Sequence, residues 1–262
     1  MQIPPMLSTL LGTALAFFVG FNNNQAYSRW WEARTIWGGL VNDSRSWARN
    51  LIYYTGGATG TVQMLADEKN KMILRHIAFV YALKENLRKK TDGYFEQYLT
   101  VEEVKFVRQQ NNISNAILSL NAANLQKLSL SGELDSFRFI QLSELIKAST
   151  DNMGKSERIK NTVYPTSYVY FTKLFIWVLV VLVTLNLADT MGAWSVLFGW
   201  IVGFVFHATH INGMSLIDPF DEIPMGIPLN QIARTIEINL LQMMGSSDIP
   251  DPEPIINGEY VL

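Results

Sequence analysis

The sequence contains no cysteine. That excludes disulfides, cysteine-ligated zinc, iron–sulfur clusters and thiolate catalysis. It has only 3 histidines, which leaves few ligands for any other transition metal. Charge is scarce too: 17% of residues are charged, against about 25% in an average globular chain. The 21 basic and 23 acidic residues leave a net charge of -2, without the basic excess of a nucleic-acid binder. No glycine-rich loop followed by Lys-Ser/Thr is present to cradle a phosphate. What the chain has in quantity is apolar and aromatic residues, 48% and 12% of 262, which excludes wholesale disorder.

Three long runs of them are almost free of charge. Residues 168–188 read YVYFTKLFIWVLVVLVTLNLA, with Lys173 the one charge. Residues 192–209 read GAWSVLFGWIVGFVFHAT and carry no formal charge. About 20 such residues span a bilayer core as a helix, and the connection at 189–191 has room only for a hairpin. A buried helical hairpin in a soluble core is the competing reading. Residues 6–21, MLSTLLGTALAFFVGF, form the third run. It lacks the basic flank and the small-residue cleavage site of a signal peptide.

Residues 22–168 hold 19 of the 21 Lys and Arg, and the 189–191 loop holds none. The positive-inside rule then places 22–168 and 210–262 in the cytoplasm and the hairpin tip outside. The first run must enter from outside, which suggests a further upstream helix that this sequence does not include. The expected division is a transmembrane helix over 1–25, a cytosolic helical region over 26–167, transmembrane helices over 168–188 and 192–210, a cytosolic turn and helix over 211–244, and a tail over 245–262. Helical periodicity runs through 72–87, 113–128, 134–145 and 229–244. Breaks are expected at 55–60, 91–93 and 131–132.

A catalytic constellation is hard to find. His207 and His210 share a helix face, but a metal site would need a third ligand, and Asp218 is the nearest acid. His76 lies on an apolar face and reads as a core residue. Asp221 and Glu222 are weak cation candidates, as is Asp218, since a pair of acids is as often a solvated turn. The cluster Arg29, Trp30, Trp31, Arg34 and Trp37 follows the first apolar run and suits an anchor at the membrane interface, where Arg can stack on Trp.

Three stretches resemble the bestrophin family. They are FFVGFNNNQAYSRWWEARTIWGGLVNDSR at 17–45, SERIKNTVYPTSYVYFTKLF at 156–175 and IDPFDEIPMGIPLNQIARTIEINL at 217–240. The first carries the R-W-W cluster and the second an E-R-I-x-N-T-x-x-P stretch. The third has Asp218-Pro219-Phe220 where the family has N-P-F. The resemblance implies an all-α membrane protein, with transmembrane helices plus a cytosolic helical bundle, built as a homopentamer in the inner membrane. It implies a passive ion channel rather than an enzyme, with no cofactor, whose partners are its own copies, the lipid bilayer and permeant inorganic ions. In the family an apolar neck lies upstream of R-W-W. Counting back from Arg29 by 8, 12 and 16 positions gives Phe21, Phe17 and Thr13, one face of a helix. Phe137 would form a second, cytosolic constriction. Aromatic edges at the neck favour anions such as chloride. A monovalent cation channel of the same fold and a non-conducting membrane scaffold are the alternatives. Calcium-activated members have a run of acids after N-P-F; here only Asp221 and Glu222 follow, so no tight Ca²⁺ dependence is expected.

Overall fold

The computed structural model describes residues 4–55 and 62–256. Eight α-helices and one 3₁₀ turn are found among them, with no strand: α1 (Pro5–Tyr54), α2 (Val62–Arg88), the 3₁₀ turn (Tyr94–Tyr98), α3 (Val101–Arg108), α4 (Ile113–Leu130), α5 (Ser136–Asn161), α6 (Thr166–Met191), α7 (Trp194–Met214) and α8 (Leu229–Met244). The breaks expected at 91–93 and 131–132 separate α2 from the 3₁₀ turn and α4 from α5. Of the break expected at 55–60, residues 56–60 lie outside the described residues, as do 257–262 of the tail.

The chain forms two compact units. One comprises 1–32 and 162–219, the other 33–161 and 220–262. Three helices are long and apolar enough to cross a membrane, namely α1, α6 and α7, and all three contribute to the first unit. α6 and α7 pair as a hairpin. Their turn falls at Gly192–Ala193 rather than at 189–191, because α6 continues to Met191 before a residue at φ 54° closes it. Two glycines four apart let the hairpin close up. A Cβ on Gly199 would lie 2.0 Å from Thr184 Oγ1, and one on Gly203 2.5 Å from Val180 Cγ2. This is the small-xxx-small device of membrane helix pairs. The start of α1 adds Leu15 and Val19 to a cluster with Ile176 and Leu179, flanked by Leu11, Val183, Val202 and Phe206.

Helix α1 does not stop at residue 25. The run Asn22-Asn23-Asn24 has low helix propensity, yet it lies inside the helix. Tertiary partners explain this: Asn22 Nδ2 donates to Thr172 Oγ1 at 3.3 Å, and Asn23 Nδ2 donates to the Thr209 carbonyl at 3.0 Å. The asparagines tie α1 to α6 and α7. A Cβ on Gly213 would lie 1.9 Å from Asn23 Oδ1, so glycine at that position makes room for the amide.

In the second unit α2 is the hub, touching the 3₁₀ turn, α4, α5 and α8. Met72, Ile73, Ile77, Phe79, Val80 and Leu83 are fully buried. The later part of α1 buries Ala33, Trp37, Leu40, Ser44, Trp47 and Leu51, which recur at helical spacing along one face. Trp47 Nε1 reaches the Met72 carbonyl at 3.5 Å. His76 is a core residue, its Nε2 2.9 Å from Ser44 Oγ. α8 packs through Leu229, Ile232, Ala233, Ile236, Leu240 and Leu241.

Candidate functional site

The first unit gives the start of α1 two unlike faces. Leu15 and Val19 are buried against α6. Thr13, Phe17 and Phe21 lie on an exposed face, with Phe17 77% and Phe21 49% exposed. Four-residue spacing stacks the three positions along the helix. The hydroxyl of Thr13 donates to the Thr9 carbonyl at 2.9 Å, so its one donor is satisfied within the helix. Position 13 is thereby less polar than its composition suggests. The exposed face continues past Phe21 into Asn24 and Ser28, where Ser28 Oγ donates to the Asn24 carbonyl at 2.8 Å.

The aromatic cluster that follows divides. Tyr27 stacks on Trp30 and Trp31 with centroids 6.1 and 6.5 Å apart. Trp31 and Arg34 are exposed. Trp37, by contrast, is fully buried and serves the core of the second unit. Asp218 lies close enough to Arg29 to act on its charge.

Phe137 is 83% exposed at the first turn of α5. Asp135 Oδ1 accepts from the backbone N–H groups of Phe137 and Arg138 at 2.9 and 3.0 Å. This capping fixes where the helix starts. Arg138 also pairs with Asp135 at 3.1 Å.

The acids considered for a cation are engaged by side-chain cations. Asp221 lies 3.3 Å from Lys160 Nζ. Glu222 is paired with Arg88 at 3.2 Å and with Lys90, and it accepts from Asn230 Nδ2 at 3.1 Å. The Lys90 hydrogen bond first, then Asn230 and the Arg88 charge, hold the Glu222 carboxyl below the usual carboxylate range despite its partial burial. Among the described residues no group of three His, Asp or Glu is placed to hold a metal ion. His207 is exposed and His210 is buried, and no third ligand joins them in a metal-holding group among the described residues.

One network was not singled out from the sequence. Glu237 is 1% exposed and accepts hydrogen bonds from the hydroxyls of Tyr81 and Tyr98. Arg234 Nη1 lies 3.0 Å from Glu237 and 3.0 Å from Tyr94 Oη. The available signal was a carboxylate set into the apolar stripe of α8. Its tyrosine partners come from α2 and the 3₁₀ turn, which periodicity in α8 does not reveal.

The profile of bacterial and fungal bestrophin proteins matches residues 1–242. The chain belongs to the bestrophin family. Among its relatives is the voltage-dependent anion channel-forming protein YneE of Escherichia coli K12, 28% identical over 243 residues, which cover 92% of this chain and 77% of that one. The voltage-dependent anion channel-forming protein mll4386 of Mesorhizobium japonicum is 26% identical over 241 residues, covering 91% and 74%. Among solved structures, a bacterial bestrophin homologue from Klebsiella pneumoniae superposes with a TM-score of 0.87 at 25% identity, covering 95% of this chain and 90% of that one. The all-α membrane architecture expected from the three motifs is therefore that of a bacterial bestrophin. In this bestrophin the motif at 217–240 supplies both the loop that presents Glu222 and the helix that buries Glu237.

Proposed function

We propose that the protein is the subunit of a homopentameric, passive anion channel that crosses the bacterial inner membrane several times. The observation that carries this reading is the exposed face Thr13, Phe17 and Phe21, opposite the packed face of α1, in a family with relatives named as anion channel-forming proteins. Such a face, repeated around a symmetry axis, makes stacked apolar rings. These hold a dry constriction that gates by dewetting. The ring edges of phenylalanine are the positive part of its quadrupole, and edges turned to the axis favour an anion. Phe137 supplies a second ring at the cytosolic exit.

The test is a planar bilayer with purified protein under asymmetric sodium chloride. Reversal near the chloride equilibrium potential is expected. Reversal near the sodium potential would make it a cation channel, and silence from an intact oligomer would favour a scaffold.

Calcium regulation is not expected. Lys160, Arg88 and Lys90 already neutralise Asp221 and Glu222, and a calcium ion needs about six to eight oxygen ligands. Current at a fixed voltage should stay level as free Ca²⁺ is raised from chelator to roughly millimolar, the weak end of calcium-site affinities. A rise with a micromolar midpoint would sink this.

A further inference from the structure

Between α2 and α8 the second unit holds a cavity of about 230 Å³. Lys84, Arg88 and Lys90 reach its wall from the end of α2 and the turn beyond. The charged atoms of Lys84 and Arg88 share one neutral acceptor, since Asn230 Oδ1 takes Lys84 Nζ at 3.1 Å and Arg88 Nη1 at 2.9 Å. Two positive charges therefore lie within about 6 Å of each other, inside one screening length. Burial, and then the Arg88 charge, pull the Lys84 ammonium below its ordinary range.

The Arg88 side chain is 3% exposed. Its Nε donates to the Phe220 carbonyl at 3.2 Å, and its Nη1 also lies 3.2 Å from Glu222. Its Nη2 is buried with no hydrogen-bond partner. A buried guanidinium nitrogen without an acceptor is costly, so this corner of the fold lacks an anion oxygen.

The acids of the same cavity do not supply it. Glu222 is shared between Arg88 and Lys90. Glu85 accepts the backbone N–H groups of Gly93 and Tyr94 at 3.1 and 2.9 Å. Glu253 lies on Arg234 at 3.3 Å, and Asp92 is exposed.

We propose that this cavity is an oxyanion-binding site that takes a phosphate-type group between the Arg88 guanidinium and the ammonium groups of Lys84 and Lys90. The planar guanidinium fork suits two oxygens of such a group. A single chloride ion offers one sphere, where the guanidinium fork is matched by two oxygens of one group. The cavity is smaller than the roughly 300 Å³ at which drug-sized sites begin. It holds a phosphoryl group, and anything attached to that group projects out of it. The group arrives as inorganic phosphate or as the phosphate of a nucleotide.

The experiment is calorimetric titration of the full-length oligomer, in detergent at constant ionic strength, with sodium phosphate, adenosine monophosphate, adenosine and sodium chloride. Saturable phosphate binding with a Kd on the order of 1 mM or tighter is expected. Adenosine and chloride should give no saturable heat. Tighter binding of the monophosphate than of phosphate assigns the site to a nucleotide, and equal or weaker binding assigns it to free phosphate. Lys84→Met keeps the apolar stem and should weaken binding about tenfold, as loss of one charge-assisted hydrogen bond predicts. Arg88→Lys tests the fork, and if it fails to assemble, Lys84→Met decides alone. The proposal is overturned if neither phosphate nor the monophosphate saturates by about 10 mM, or if a folded Lys84→Met oligomer binds both as the parent does.

Discussion

Replacing Phe17 and Phe21 together by alanine is expected to raise single-channel current at least about tenfold, a change equivalent to about 1.4 kcal/mol off the barrier to permeation. The reason is geometric. Both rings are exposed on the face opposite the Leu15/Val19 contact, so neither holds α1 to its neighbours in the chain. Their removal should leave the oligomer intact on size-exclusion chromatography while it widens and wets the neck. Each single variant should show part of the effect. Thr13→Val removes the remaining acceptor at the third ring and should lower the current. An alanine pair with parental current and an intact oligomer would mean that this face lines no constriction.

Glu237→Ala should be among the most damaging single changes in the second unit. The side chain is 1% exposed, and its loss leaves Arg234 and the Tyr81 and Tyr98 hydroxyls without their shared acceptor. Removing one partner of a buried charged network costs about 3–5 kcal/mol. In a chain of this size that corresponds to a fall in Tm on the order of 10 °C. Burial first, and then the hydrogen bond to Glu237, raise both tyrosine hydroxyls above their ordinary range. Both hydroxyls donate to Glu237 and lose that acceptor in the variant. Glu237→Gln keeps the shape but not the charge, and should fall between the two. Thermal unfolding followed by loss of the oligomer peak measures all three proteins. A Glu237→Ala variant within about 2 °C of the parent, a shift worth no more than about 1 kcal/mol, would show the network to be dispensable.

The membrane hairpin was legible because two neighbouring apolar runs, each about as long as a bilayer core is thick, have almost no charge to place in water. Stretches of α2, α4, α5 and α8 were legible from periodicity; α3 was not read, although it carries its own signal. Thr100 and Glu103 form a capping box there, with Glu103 held in addition by Arg75 at 2.9 Å. The continuity of α1 was not legible. A division at residue 25 was expected, whereas Thr172 and the Thr209 carbonyl satisfy Asn22 and Asn23 within a helix that runs on. The Gly199/Gly203 pair was a readable signal, but its meaning depends on the residues it faces, Thr184 and Val180. At the candidate neck, counting from the R-W-W cluster selected positions that share an exposed face. The same cluster read as a single anchor, whereas Trp37 belongs to a core. Adjacent residues on a helix point in different directions, and composition does not say which direction meets lipid.

His76 lies wholly within the second unit, against Ser44. Its burial lowers the imidazole pKa from 6.5 to about 3. The folded protein therefore keeps this ring neutral through any mild acidification, while an unfolded chain takes up a proton once pH drops below about 6.5. The contribution is complete above that value and drains away as pH falls toward 3. Acid thus acts on this residue as a denaturing stress and not as a gating signal. Replacing His76 by glutamine should flatten the loss of Tm between pH 6.5 and 4 without altering how current responds to mild acid.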